Sequence, residues 1–241
     1  MRFRRSAQAH APHRDTRLTR TTDVSPGQTL LLLGATGLVG RQVLRQALAD
    51  PRVARVIAPT RRPLAGDPFL ADPRLSNPVL DVEHLSAQSP WWTVDAVVCA
   101  LGTTMARAGS REAFRRIDAE LPLQIARWCR AGGARAFALN SALGADPASR
   151  VFYSRVKGEL EQALRALDFP SLTLVRPGLL GGDREERRPA ERAGILVSQA
   201  LAPLLPRRYR VVPAERVAHH LLRAALTGAP GVTVLPSESL T

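Results

Sequence analysis

LLLLGATGLVG, residues 30–40, decides the fold of this chain, because four leucines run directly into a turn with three glycines. A helical stripe of apolar residues follows at once, at positions 38, 39, 43, 44 and 48. Glycines between a strand and a helix permit a tight turn and let a pyrophosphate approach the helix amides. The context therefore predicts a dinucleotide site formed by Gly34, Thr36, Gly37, Leu38, Val39 and Gly40. The spacing G-x-x-G-x-x-G differs from the ordinary G-x-G-x-x-G, and a glycine turn without a ligand is the alternative.

Strand and helix patterns alternate through the rest of the chain. Strand patterns lie at 29–33, 53–58, 78–82, 94–100, 135–141, 172–176, 209–212 and 231–235, and helix patterns lie at 38–49, 110–131, 153–167, 190–202 and 215–226. Strands that are almost continuously apolar are typical of a parallel sheet covered on both faces. We predict an α/β fold, a Rossmann-type doubly wound parallel sheet with a small C-terminal lobe that covers the substrate.

The length of 241 residues suits a single domain, and the first 27 residues differ from the rest. This segment carries six arginines against two aspartates and lacks hydrophobic periodicity. We predict a disordered basic tail at 1–27 and one NAD(P)-binding Rossmann domain at 28–241. The tail is partly similar to a transit peptide, although Pro12 and the missing apolar stripe weaken that interpretation. A translation start near Val24 is another possibility.

The second strand pattern ends in a pair of arginines, Arg61 and Arg62, where NAD sites place an acidic residue. Arginine suits a 2′-phosphate, so we predict NADP(H) rather than NAD(H). The alternative is that both are ordinary surface arginines. We expect the adenine to meet the end of the third strand and the ribose to meet the turn after the fourth, at Asp81, Val82, Leu101, Gly102 and Thr103.

Lys157 is the only lysine among 34 basic residues, and it lies four residues after Tyr153. A site that keeps lysine against such a bias needs a compact charge that the arginine fork cannot supply. Side chains four residues apart project from the same helix face. A free phenol has a pKa near 10, and a neighbouring ammonium favours the phenolate. The pair therefore predicts an acid–base catalyst, the alternative being a packed phenol beside a lysine that reaches to solvent.

Ser141 ends the fifth strand pattern, twelve residues before Tyr153. We expect Ser141, Tyr153 and Lys157 to converge, since a strand end and the face of the following helix meet at one edge of the sheet. The glycine turn, the serine and Tyr-x-x-x-Lys, in this order, resemble the short-chain dehydrogenase/reductase superfamily. The resemblance extends to its atypical branch, and within it to the Tat-interacting-protein-like group, through residues 100–104, 141–146, 156–159, 176–178 and 183–191.

The resemblance implies a role for each matching residue. Tyr153 is expected to be the general acid in carbonyl reduction or the base in alcohol oxidation. Lys157 is expected to hydrogen-bond the nicotinamide ribose and Ser141 the substrate oxygen, while Pro177 is expected at the cofactor. The function implied is an NADP(H)-dependent oxidoreductase that interconverts a carbonyl and an alcohol on a small molecule.

Two departures from the superfamily pattern leave other functions open. Residues 110–131 contain no asparagine to support a proton relay, and Asp118 lies there instead. Ala142 follows Ser141 where many relatives have a second hydroxyl. The alternative is therefore an NADPH-binding sensor or regulatory partner with little catalysis. An epimerase or dehydratase acting on a nucleotide sugar is a third hypothesis, and the small substrate lobe disfavours it.

The net charge of +13 suits acidic partners, but with 5% aromatic residues and no recognition motif we consider nucleic acid unlikely. The longest apolar runs are too short to span a membrane. Cys99 and Cys129 fall in predicted core elements, which indicates a reduced, cytoplasmic protein. The five histidines lack metal-ligand spacing, so we predict no metal site. We expect a monomer or homodimer.

Overall fold

A computed structural model describes residues 27–66, 68–82, 84–181 and 206–240. Its centre is a parallel sheet of seven strands in the order β3-β2-β1-β4-β5-β6-β9. The strands of this sheet are β1 (Gln28–Leu33), β2 (Val53–Ile57), β3 (Leu75–Ser76), β4 (Ala96–Cys99), β5 (Ala136–Asn140), β6 (Ser171–Arg176) and β9 (Gly231–Pro236). The order reverses at β1, so the carboxyl ends of β1 and β4 border the crevice where ligands bind in open α/β sheets.

Helices cover both faces of the sheet. In the described residues the α-helices are α1 (Leu38–Ala49), α2 (Met105–Ala108), α3 (Arg111–Arg115), α4 (Leu121–Ala131), α5 (Phe152–Arg165) and α6 (Ala214–Thr227). One core cluster joins α1 and α6 to one face, and a second joins α4 and α5 to the other. The leucines of β1 alternate between the clusters and are 0–1% exposed, which accounts for their unbroken run. The predicted doubly wound Rossmann-type fold is confirmed.

The third strand differs from its prediction. The ladder with β2 forms at Leu75–Ser76, and the segment predicted at 78–82 keeps only an isolated bridge between Thr60 and Val79. Pro78 has no backbone N–H to donate, so it interrupts the ladder between the two places.

Of the strand predicted at 209–212, only Val212 lies in a strand. β8 (Val212–Pro213) pairs with β7 (Leu180–Gly181) in a separate two-stranded sheet. The predicted helix at 190–202, the matching stretch at 183–191 and the tail predicted at 1–27, except Gly27, lie outside the described residues.

The long helix predicted at 110–131 is divided into three parts. Ser110 caps α3, since its side chain accepts from the Ala113 amide at 3.0 Å. A turn of π-helix, Arg116–Glu120, then separates α3 from α4. Such turns are rare and often occur at functional sites. Here the turn carries Asp118 into the interior, where its side chain is fully buried.

Candidate active site

The glycine turn brings β1, α1 and the end of β4 into close contact. A side chain at Gly34, where φ is +85°, would lie 2.6 Å from the Ala100 carbonyl oxygen. A Cβ at Gly40 would lie 2.0 Å from the Gly34 carbonyl oxygen. Gly37 precedes α1 and has no side chain to cap it, so the first amides of a 12-residue helix remain available to an anion. This cradle suits a dinucleotide pyrophosphate.

The other residues predicted in the turn divide into two groups. Thr36 is exposed, and Leu38 is half-buried beside it. Val39 and Gly40 are buried and pack in the core. Val39 and Gly40 can therefore present only backbone atoms to a ligand, whereas Thr36 can also present its hydroxyl.

Arg61 and Arg62 are exposed after β2, at the same sheet edge as the glycine turn. Their loop is braced by Asn77, which donates to the Ala58 carbonyl at 2.6 Å and to Thr60 Oγ1 at 2.8 Å. Thr60 in turn donates to the Arg62 carbonyl at 2.6 Å. Sequence reasoning missed Asn77, because nothing in the local pattern links it to a loop 17 residues earlier.

The predicted adenine contacts lie beyond this loop. Asp81 is exposed and its carboxylate lies 2.8 Å from His84 Nδ1, while Val82 is half-buried. Neither residue belongs to a strand, so their place beside the adenine stays a prediction.

The turn after β4 connects the glycine turn to the predicted catalytic residues. Ala100 abuts Gly34 at one end of this turn, and Leu101 is half-buried. At the other end, a Cβ on Gly102 would lie 4.0 Å from Lys157 Nζ. Leu101, Gly102 and Thr103 therefore connect the glycine turn to Lys157, and their contact with the ribose stays a prediction.

Tyr153 and Lys157 lie one turn apart on α5 in contrasting environments. The Tyr153 side chain is 39% exposed, and its ring packs 5.7 Å from the Phe114 ring, centroid to centroid. Lys157 is 3% exposed. The structure thus brings the pair together as the spacing predicts, with the phenol open to a ligand and the ammonium buried behind it.

Asp118 binds this lysine directly, which sequence reasoning did not foresee. Its Oδ1 lies 2.7 Å from Lys157 Nζ, and its Oδ2 accepts from the Thr103 amide at 2.8 Å. Burial by itself lowers the pKa of Lys157, but the charge of Asp118 and its hydrogen bond outweigh burial and raise it. The lysine is therefore held as an ammonium in the interior.

Ser141 is buried, and its hydroxyl donates to Glu161 Oε1 at 2.5 Å. Glu161 lies one turn beyond Lys157 and also accepts from Arg176 Nε at 2.9 Å. Ser141 thus contacts the same stripe of α5 as Tyr153 and Lys157, but its donor is engaged by Glu161. Pro177 is buried beside this network, and its carbonyl accepts from the Leu143 amide at 2.9 Å. The substrate role of Ser141 and the cofactor role of Pro177 stay predictions.

The described part of the chain contains no group of three or more His, Cys, Asp or Glu side chains arranged to hold a metal ion. None of its helices combines the length and the apolar character that crossing a bilayer requires.

Comparison with known proteins identifies relatives of this chain. The NAD(P)H-binding family model matches residues 34–226. Protein fmp52, mitochondrial, of Emericella nidulans is 36% identical over 175 residues, which cover 70% of this chain and 74% of that protein. Protein HTATIP2 of Rattus norvegicus is 36% identical over 165 residues, which cover 68% of this chain and 67% of that protein. The resemblance inferred from the motifs is confirmed.

A solved structure shares the fold at low sequence identity. A short chain dehydrogenase/reductase family protein superposes with a TM-score of 0.64 at 19% identity, and the match covers 89% of this chain and 97% of that chain. The prediction of a cytoplasmic location is wrong, since the similar fungal relatives are named as mitochondrial proteins. Buried thiols indicate a reducing environment but do not specify a compartment.

Proposed function

Because this chain belongs to the NAD(P)H-binding family, as an atypical short-chain dehydrogenase/reductase similar to HTATIP2, we propose that it is an NADP(H)-dependent oxidoreductase. It interconverts a carbonyl and an alcohol on a small molecule. The observation that carries the proposal is the pairing of an exposed phenol, Tyr153, with a buried ammonium, Lys157, beside the turn that reaches the glycine cradle.

The cradle supports the cofactor half of the proposal. Gly34 and Gly40 leave room only for backbone, and the uncapped start of α1 faces the place for a pyrophosphate. Arg61 and Arg62 project from the neighbouring strand end, where a 2′-phosphate would meet them. When bound, the nicotinamide supplies or accepts the hydride.

Tyr153 is the proton donor or acceptor in this proposal. In reduction its O–H gives a proton to the carbonyl oxygen while hydride reaches the carbonyl carbon, and the resulting phenolate recovers a proton from solvent. The 39% exposure of Tyr153 is compatible with contact to the substrate carbonyl and to solvent. Lys157 holds positive charge behind the phenol and stabilises the phenolate as it forms. Ser141 is the proposed donor to the substrate oxygen, which requires its hydroxyl to turn from Glu161.

One observation favours the second candidate, an NADPH-binding sensor with little catalysis. The Ser141 hydroxyl already donates to a buried carboxylate, Glu161, so the site lacks a free substrate donor at that position. A sensor would bind the nucleotide with the same cradle and would not turn over carbonyl compounds.

The test of cofactor binding is a fluorescence titration with NADPH and NADH at fixed salt. We expect saturable binding with a preference for NADPH. The variants Arg61→Ala and Arg62→Ala should each weaken NADPH binding by about tenfold and leave NADH binding unchanged. Arg55→Ala, which removes an exposed arginine within β2, is the matched control. Equal affinities of the wild-type protein for the two nucleotides would contradict the phosphate role.

The test of catalysis is turnover of a broad panel of aldehydes and ketones with NADPH. Tyr153→Phe should reduce turnover at least about a hundredfold, the scale of general acid–base catalysis. The control is Tyr209→Phe, because Tyr209 is the only other tyrosine. NADPH binding without turnover of any compound would favour the sensor.

A further inference from the structure

A buried carboxylate adjoins the proposed catalytic pair. Asp118 is 0% exposed and Lys157 is 3% exposed, and 2.7 Å separates their charged atoms. A buried charge is costly unless it is paired, so each residue requires the other. The second oxygen of Asp118 accepts a hydrogen bond from the Thr103 amide at 2.8 Å, and this bond fixes the carboxylate against the turn after β4.

The π-helical turn explains how Asp118 reaches this position. An α-helix that continued from α3 through 116–120 would place the residue on a different face, since a π turn adds a residue to the helical repeat. The turn lies between α3 and α4, and it directs Asp118 towards α5 while Phe114, one turn earlier, contacts the Tyr153 ring. One bent helix thus supports both members of the pair.

The net charge beside Tyr153 decides whether its phenol acts as a proton donor or as a base. A lone ammonium behind a phenol stabilises the phenolate and makes a base. An ammonium paired with a carboxylate carries no net charge, so it stabilises the phenolate less. Asp118 also holds Lys157 protonated, as the raised pKa of that lysine indicates. The Asp118–Lys157 ion pair thus keeps the N–H donors of the ammonium, and it has no net charge that would favour loss of the phenol proton.

Other charged or titratable groups near the pair do not replace this effect. Cys99 is buried beside Lys157, and burial raises its pKa to about 11, so it stays neutral at physiological pH. Glu161 is paired with Arg176, and Glu159 with Arg115. The guanidinium groups of Arg111 and Arg155 lie over the Phe152 ring, 5.2 and 5.9 Å from its centroid.

We propose that Asp118 is a positioning residue that aims the Lys157 ammonium and balances its charge, so that Tyr153 keeps its proton and acts as a proton donor. The role depends on the proposed oxidoreductase function and adds a direction to it: the resting site is set for carbonyl reduction.

Two features of the composition make the proposal measurable without any substrate. Lys157 is the only lysine, so protein labelled with 15N-lysine gives one Nζ signal. The chain has two tyrosines, so in a Tyr209→Phe background tyrosinate absorbance near 295 nm reports Tyr153 alone. Both titrations use the full chain without cofactor, so they succeed or fail independently of turnover.

The decisive variant is Asp118→Asn, which removes the charge and keeps the shape. In the Tyr209→Phe background, we expect tyrosinate to appear at a pH lower by about one to two units than with Asp118 present, the scale of one charge at an effective dielectric constant near 20. The Lys157 Nζ signal should also titrate at lower pH. Glu120→Gln, on the same π turn but exposed, is the matched control and should shift neither titration.

Each outcome decides the proposal. Unchanged titrations in Asp118→Asn would overturn it, and so would a shift of the Nζ signal alone, because the phenol would then not respond to Asp118. If Asp118→Asn does not fold, the tyrosinate titration of the Tyr209→Phe protein decides: a midpoint clearly below the ordinary phenol value near 10 overturns the proposal, and a midpoint at or above that value supports it. The expected shifts in a protein whose wild-type form turns over no carbonyl compound would contradict the proposed function and leave the electrostatic role of Asp118 intact.

Discussion

The glycine turn and the catalytic stripe of α5 are built in opposite ways. At the turn, Gly34 and Gly40 contribute backbone, and any side chain there would collide with a carbonyl oxygen. On α5, Lys157 and Glu161 contribute charged side chains that are 3% and 2% exposed and are paired with partners from other elements. The first region depends on close approach of main chains, and the second depends on charge balance in a dry interior.

The two regions therefore tolerate different substitutions. A site made of backbone fails when a side chain is added, because the main chains have no room to move apart. A site made of paired charges fails when one partner is removed, because the remaining charge stays buried.

Gly40→Ala should have the largest effect. The added methyl would lie 2.0 Å from the Gly34 carbonyl oxygen and 2.7 Å from its carbon, so β1 and α1 must separate. We expect a loss of about 3 kcal/mol or more in the free energy of unfolding, measured by urea denaturation, and no NADPH binding. At Gly37 the nearest atom would be 3.3 Å away, so Gly37→Ala should fold and lose mainly nucleotide affinity. If Gly40→Ala and Gly37→Ala were equally stable, close contact between main chains would not be what makes Gly40 necessary.

Lys157→Arg should affect chemistry more than folding. A guanidinium is wider than an ammonium. The Asp118 carboxylate lies only 2.7 Å from Lys157 Nζ, so the wider group has little room. We expect about 1–3 kcal/mol of destabilisation from overpacking and at least about a hundredfold loss of turnover. Arg155→Lys on the same helix is the reverse control, and it should change both measurements little. Full activity of Lys157→Arg would show that charge alone is sufficient.

Glu161→Gln should have an intermediate effect. It leaves the Arg176 guanidinium without its carboxylate and weakens the bond from Ser141, although Arg176 is 29% exposed and water offsets part of the loss. We expect about 1–3 kcal/mol of destabilisation by chemical denaturation. Glu159→Gln removes a carboxylate that is 30% exposed and pairs with Arg115, and it should cost less than about 1 kcal/mol.

The cysteine thiols should give the smallest effect. Burial raises the pKa of Cys99 to about 11 and that of Cys129 to about 12. At pH 8 the folded protein should therefore react with a disulfide reagent far more slowly than the unfolded chain. Stopped-flow absorbance of the released thiolate measures both rates. Fast reaction of Cys99 in the native protein would mean that the interior beside Lys157 opens readily.

The sequence was sufficient for the glycine turn because its physics is local. A strand, three glycines and an apolar helical stripe occupy consecutive residues, so the motif and its context lie in one window. Tyr153 and Lys157 were foreseeable for the same reason, since four residues separate them on one helix. The third strand was misplaced because Pro78 interrupts a ladder whose position depends on how β2 pairs.

The tertiary structure alone decided what surrounds these motifs. Asp118 and Lys157 are 39 residues apart, and a π turn with no sequence signal brings them to 2.7 Å. Ser141 was predicted at the right strand end, but only packing shows that its hydroxyl donates to Glu161. Local backbone geometry is determined by neighbouring residues, so sequence reveals it. The balance of buried charges is set by contacts between distant segments, and those contacts exist only in the folded chain.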